Sequence, residues 1–436
     1  MVCNTYSIGK RIKLTHIKTD KFKKARFTFN FVLPITRERS YLNSMIVPVS
    51  FWGTEKYRDF RALCIRSEEL YASGITDVNS KIGDTQIIGI HASMLNEEFI
   101  SESDKASNFS VIDGVLDIIS QLILHPLFRD QDIESERSNQ IKRVRSRKND
   151  AFGYAKYRFS KALFENSPSG YPLIGEEEQL SSFCADDLLA AYRDVINNAP
   201  IEIFYCGALD EKKVTELIKL YFPAFVSESF DTDALTRYSF PREAASVKRI
   251  VESGEYRQGN LLVGFRTGTF LSDKDFYATE MMNQIYGDGS CSKLFMHLRE
   301  EKSLCYFCAS NYDEARGVIV VGSGINNCDF EEALDGILSQ LESIKNGEIS
   351  DEELFAARKT IVSDCRAAED HPGDYEAFEK TYRLFGGPRN IEEYREGILN
   401  ATKEDICAAA RKLTLDTVYF LEGNLADDGE ECAYDE

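Results

Sequence analysis

The chain has 436 residues, 43% of them hydrophobic, and a formal net charge of −20. That apolar content excludes wholesale disorder, and the length calls for more than one domain. The acidic balance repels phosphate backbones and excludes nucleic acid as a default partner, while basic partners are tolerated. Eleven cysteines, an odd number, are spread from Cys3 to Cys432. The opening stretch MVCNTYSIGKRIKLTHIKTDKFKK is polar and basic, without the apolar core of a signal peptide. No run of about 18 apolar residues follows it. The expectation is a cytoplasmic protein with reduced thiols and no membrane association.

In chain order, RFTFNFVLPI alternates apolar and polar residues as a half-buried strand does. NSMIVPVSFWGTEKY, residues 43–57, reads as the end of an amphipathic helix running into a Gly-Thr turn. It holds no histidine, no cysteine and no glutamate before the turn. DTQIIGIHASM is another strand. DGVLDIISQLILHPLFRDQDIESER, residues 113–137, reads as two amphipathic helices with a short loop and an acidic turn between them. KRVRSRK, residues 142–148, is the one basic run; on a long helix it is a solvated face paired with neighbouring acids, or a docking site for an acidic partner or a peptide carboxylate. DDLLAAYRDVINNAPIEIFYCGALD, residues 186–210, is a helix leading into a strand. FVSESFDTDALTRYSFPREAAS is polar, contains Pro241 and reads as linker. GNLLVGFRTG and GVIVVGSGI are further strands. YGDGSCSK lacks the full phosphate-loop pattern, and its glycines shape a turn before a helix beginning SKLF.

The chain repeats itself. DGVLDIISQLILHPLFRDQDIESER resembles DGILSQLESIKNGEISDEELFAAR, with Asp113 matching Asp335. DDLLAAYRDVINNAPIEIFYCGALD resembles EDICAAARKLTLDTVYFLEGNLA, with Asp187 matching Asp405. Both matches lie about half the chain apart and in the same order, which argues for duplication. The fold class is α+β: two homologous halves, each a mixed or antiparallel sheet covered by helices on one face. Residues 1–224 form the first half, 225–246 the linker, 247–426 the second half and 427–436 an acidic tail.

One segment is sharper. GDGSCSKLFMHLREEKSLCYFCASNYDEARGVIVVGSGI, residues 287–325, resembles the second half of the pitrilysin/insulinase-family metallopeptidases, whose pattern is roughly S-x-L-F-x-x-L-R-E-x-x-x-L-x-Y. Ser292, Leu294, Phe295, Leu298, Arg299, Glu300, Leu304 and Tyr306 carry it. Gln258, Gly264 and Phe265 match the family's upstream strand. The resemblance implies two α+β halves closing as a clamshell. Active members carry H-x-x-E-H on a first-half helix, where two histidines on one face bind Zn²⁺ and the glutamate activates water. A hydrophobic-x-Gly-Thr turn follows, here FWGT, residues 51–54.

Counting back from that turn puts Ser44 and Pro48 at the histidine positions and Val47 at the general base. Serine is a weak zinc ligand, proline has no side-chain donor and valine cannot move a proton. Pro48 is expected to disturb the helix by removing a backbone donor and clashing one turn back. The third-ligand glutamate maps to Lys142 or Arg143, a cation where the metal needs an anion. No zinc and no other cofactor is expected. The family's second-half arginine and tyrosine, which hold substrate backbone and stabilise the tetrahedral intermediate, match Arg299 and Tyr306, seven positions apart. Without the surrounding motif they would read as a helix-end arginine in an ion pair and a core tyrosine.

Other candidates are weaker. Cys305-x-x-Cys308 admits a redox or half-zinc reading, yet no second CxxC exists and the pair lies on a strand, so two buried thiols are expected. His16, His91, His125, His297 and His371 never stand at i, i+4. The resemblance implies a non-catalytic subunit whose Arg/Tyr half completes the active site of a paralogous zinc-bearing subunit acting on peptide or unfolded polypeptide. Alone, the chain would pair with itself or stay single. The alternative is a structural or peptide-binding scaffold with no peptidase partner.

Overall fold

The computed structural model describes residues 3–226 and 238–425. The acidic tail at 427–436, and positions 227–237 of the expected linker, lie outside the described residues. Among the described residues, eleven strands form two sheets. Those of the first are β1 (Cys3–Ile8), β2 (Ile12–Lys18), β3 (Lys24–Pro34), β4 (Gly74–Ile82), β5 (Thr85–Leu95) and β6 (Ile201–Gly207). Those of the second are β7 (Lys248–Gly254), β8 (Gly259–Arg266), β9 (Cys305–Asp313), β10 (Val318–Ile325) and β11 (Thr414–Gly423).

The sheet orders are β1-β2-β6-β3-β5-β4 and β7-β11-β8-β10-β9. Apart from β1 they are the same sheet. A parallel pair, β2 with β6 or β7 with β11, is followed by three antiparallel ones in each. The helix before each parallel strand starts on a matching cap. Asp187 accepts from the Cys184 N–H at 2.8 Å, and Asp405 from the Thr402 N–H at 3.1 Å. Two N-terminal donors are satisfied at the same place in both halves, as the sequence match between these aspartates implies.

Chain contacts divide the protein into two units: Met1–Arg145 with Tyr171–Tyr238, and Ser146–Gly170 with Ser239–Glu436. The expected first half, 1–224, is therefore interrupted. Its segment Ser146–Gly170, carrying the helix Ala151–Leu163, belongs to the second unit. Two glycines explain how that helix lies flat on the sheet. A Cβ on Gly264 would come within 2.7 Å of Phe159 Cζ, and one on Gly322 within 2.8 Å of Phe152 Cζ. Arg266 fastens its C-terminal end, donating to the Leu163 carbonyl at 2.8 Å and to Asp416 at 2.7 Å, both side chains of the ion pair being buried. Residues 265 and 286, on the opposite face, meet as an edge-to-face Phe–Tyr pair at 6.4 Å. The second sheet thus carries the expected helix layer on one face and the crossing helix on the other, which is why every residue of β8 is buried. After the undescribed positions, Arg242 is tied to the second unit, donating to Asp273 at 2.6 Å and to the Gly268 carbonyl at 2.7 Å.

In the first unit, Phe27, Phe29 and Phe31 of β3 are buried, and Phe29 packs against Phe222 at 4.7 Å between ring centroids. Among the described residues no helix is long and apolar enough to cross a membrane.

Candidate functional site

The four positions that the resemblance reads as a degenerate metal site all lie in the first unit. Ser44, Val47 and Pro48 are on the helix Ser40–Ser50. Ser44 is 2% exposed, and its hydroxyl donates to the Tyr41 carbonyl at 2.7 Å, so its oxygen is engaged in the helix's own backbone. Val47 is buried among apolar neighbours. The disturbance expected at Pro48 does not break the helix, which continues to Ser50. Pro48 falls in the last turn, where few downstream bonds remain to be lost, although it withholds an N–H from the Ser44 carbonyl. Arg143 is exposed near the end of the helix Asp130–Ser146. It continues the face of Glu136, two turns earlier, which is buried and accepts from Gln140 at 3.1 Å. This donor set does not fit Zn²⁺: it offers an engaged hydroxyl, two groups without donors and a cation. Among the described residues no group of three or more His, Cys, Asp or Glu is placed to hold a metal ion.

The same helix carries a polar arrangement that the sequence did not disclose. Gln86, fully buried on β5, donates to the Ser40 carbonyl at 3.0 Å and to Asn79 of β4 at 3.1 Å, and accepts from Asn43 at 3.3 Å. Amide–amide bonds thus fix the helix on the sheet. A low-dielectric setting makes such satisfied networks rigid. The turn after the helix is held as firmly. A Cβ on Gly53 would lie 2.6 Å from the Arg58 carbonyl oxygen, so only glycine fits. Arg129 donates to the Trp52 carbonyl at 3.1 Å and to the Arg58 carbonyl at 3.2 Å.

Arg299 and Tyr306 lie in the second unit, at the two ends of one short connection. Its backbone is irregular three times over. Phe295–Glu301 is a π-helical turn where the sequence led us to expect an ordinary helix. Ser303 has φ +55°, a left-handed value uncommon outside glycine. The β9–β10 register then skips, pairing Ser323 with Cys308 but Ile325 with Cys305. Tyr306 and Phe307 together oppose Gly324 alone, which is a β-bulge. A Cβ at 324 would meet Phe307 at 3.0 Å. Ser323 Oγ donates to the Phe307 carbonyl at 2.9 Å, and the Leu304 N–H to the Leu298 carbonyl at 2.9 Å, closing the connection.

The bulge decides which way the rings point. Cys308, Ser310 and Tyr312 alternate inward along β9, and unbroken alternation would carry Tyr306 inward with them. Instead Tyr306 is 84% exposed. The Arg299 guanidinium lies 4.6 Å from the Phe295 ring centroid and 3.6 Å from the Glu300 carboxylate. Burial pushes the Cys305 thiol up, against the Ser323 hydrogen bond and the Arg299 charge, which both favour the thiolate. Burial pushes the Cys308 thiol well above its usual range too. Raised thiols on a strand are poor nucleophiles.

Behind Phe307 a cavity of about 440 Å³ opens between the crossing helix and the β9–β10 face. Phe152, Phe159 and Phe164 line it from the helix, Ala309, Val318 and Val320 from the sheet. No sequence motif announced it, because the helix and the strands come from opposite sides of the linker.

Comparison with known proteins bears on both units. Residues 182–361 match the family described as "Peptidase M16 inactive domain". A Bacillus subtilis (strain 168) protein named "Probable inactive metalloprotease YmfF" is 26% identical over 412 residues, covering 93% of this chain and 95% of that one. A second protein of that strain, "Uncharacterized zinc protease YmxG", is 24% identical over 301 residues, covering 68% of this chain and 72% of the relative. The crystal structure of a conserved protein from Enterococcus faecalis V583 superposes with TM-score 0.87 at 23% identity, over 98% of this chain and 100% of that one. A peptidase M16 inactive domain from Pseudomonas fluorescens superposes with TM-score 0.77 at 17% identity, again over 98% and 100%. The two structures speak to the fold, and the sequence matches to descent. The chain is thus similar, over residues 182–361, to the M16 inactive-domain family and, over nearly its whole length, to a protein named as a probable inactive metalloprotease.

Proposed function

We propose that this chain is the non-catalytic subunit of a peptide-processing complex. It would supply Arg299 and Tyr306 to a chamber whose zinc and general base belong to a paralogous subunit. The observation that carries this reading is the presentation of Tyr306: a large aromatic residue, 84% exposed, turned outward by a bulge one connection away from Arg299. Backbone irregularity of this density is costly and persists where a side chain must be aimed. A phenol and a guanidinium are donors without competing negative charge, suited to a peptide carbonyl or a developing oxyanion. The substrate class is peptide or unfolded polypeptide, and the charge of −20 disfavours nucleic acid.

The test is co-purification of the tagged chain from its native host, with elemental analysis and peptidase assay of the eluate. The isolated chain should carry no stoichiometric zinc and cleave no peptide, while the complex should do both. Arg299→Ala should lower kcat of the complex by roughly a hundredfold, the usual cost of losing one oxyanion donor, while the subunits stay associated. Stoichiometric zinc in the pure chain, or chelator-sensitive cleavage by it, refutes the reading. Peptide binding by the chain with no zinc-bearing partner would favour the scaffold alternative.

A further inference from the structure

The cavity beside Phe307 has a character of its own. Its volume, about 440 Å³, lies in the range of small-ligand sites. Its walls are phenyl rings from the crossing helix, and its floor is made of small or β-branched residues of β9 and β10. Glycine 322 matters here: a side chain at that position would collide with the Phe152 ring. Phe152 and Phe307 meet edge to face at 4.9 Å and close one end. Arg316, 4.9 Å from the Phe164 ring centroid and paired with Asp313, stands at the other.

The charges around it do not balance. Lys156 lies over the Phe152 ring at 4.8 Å, and among the described residues no carboxylate pairs with it. Arg316 is held by Asp313 through one terminal nitrogen, yet its buried Nε has no acceptor. Asp313 is the one acid of the lining and is already committed to Arg316. A protein with a net charge of −20 therefore carries here an apolar trough of locally positive sign. Charge complementarity selects an anion with an apolar body.

The geometry points to a pocket for the C-terminal residue of a peptide: a large apolar side chain lies among the phenyl rings and its free carboxylate meets Lys156 at the end that Phe152 and Phe307 close. Phe307 follows Tyr306 in the same bulge, so a peptide held at Tyr306 has the trough one residue further along β9. This deepens the peptide-holding reading and rests on it.

The probe is N-acetyl-phenylalanine, titrated into the full chain by NMR or calorimetry, beside its carboxamide and N-acetyl-serine. The acid should bind at least about tenfold more tightly than the amide, as expected for loss of a charge-assisted bond. Lys156→Glu should remove that difference. Ala309→Phe, on the exposed floor, should abolish binding by filling the trough while melting like the parent. Equal binding of acid and amide, or binding untouched by Ala309→Phe, overturns the inference. A second arm uses a decapeptide ending in phenylalanine and its amidated form. Binding that depends on Arg299 but not on the terminal residue leaves the peptide-holding reading standing and removes the pocket. Binding of N-acetyl-phenylalanine in the trough without any peptide binding does the reverse. Failure of both arms removes both.

Discussion

At the positions where the family resemblance expects zinc ligands, the side chains of this chain do structural work. Ser44 bonds within its helix, Val47 fills core, and the Gln86 amide network binds helix to sheet. The second unit holds carboxyl groups that are half-buried. Desolvation pushes the Glu314 carboxyl up to about 7; its own backbone opposes this, Asp313 adds to it and Arg316 again opposes it. Burial, and then the charges of Glu314 and Asp288, push Glu280 up as well. A carboxyl with a raised folded-state value binds its proton more tightly folded than unfolded. Its contribution is therefore fully present below the ordinary value of 4.5 and is lost as pH rises through the window up to about 7. Glu314→Gln should flatten that fall. Urea midpoints of parent and variant, measured on either side of the window, check it; parallel curves would show that Glu314 does not titrate there.

At the scale of elements, the crossing helix Ala151–Leu163 bears most on the site, since it builds one wall of the trough and covers β8. Phe159 is 3% exposed and seated over Gly264. Truncating it to alanine should cost roughly 3–5 kcal/mol, the range for deleting a buried phenyl ring. Hydrogen exchange should report that loss in β8 and β11 and leave β3 and β5 protected. Equal loss of protection in both sheets would argue against the division into units. The neighbouring basic run, which the sequence offered as a possible docking face, is partly spoken for. Arg145 is paired with Glu177, and Arg147 lies over the Tyr157 ring at 4.6 Å.

At the scale of the whole molecule, the boundary between units does not follow the boundary between repeats. A fragment of residues 239–436 matches the second repeat but lacks the crossing helix. It should leave the apolar face of β8 and β10 open and aggregate or bind a hydrophobic dye. Co-expression with residues 146–170 should restore solubility; a fragment that is monomeric and cooperative without that segment would count against the assignment. Much of this architecture was legible beforehand. The apolar pattern of β3, β5, β8 and β10 and the match of Asp187 with Asp405 revealed strands and duplication, because burial forces an apolar pattern on the local sequence. Strands β1, β2, β4 and β7 escaped notice, three of them carrying polar or part-exposed residues near sheet edges where that pressure is weak. That Ser44, Val47, Pro48 and Arg143 offer no zinc-ligand set follows from their side-chain chemistry; that they are the positions to ask it of came from the family resemblance. Only the tertiary structure decided that residues 146–170 serve the second sheet, that Tyr306 turns outward and that a trough lies beside it. Each depends on register and on contacts between segments far apart in the chain, and no local pattern of residues encodes those.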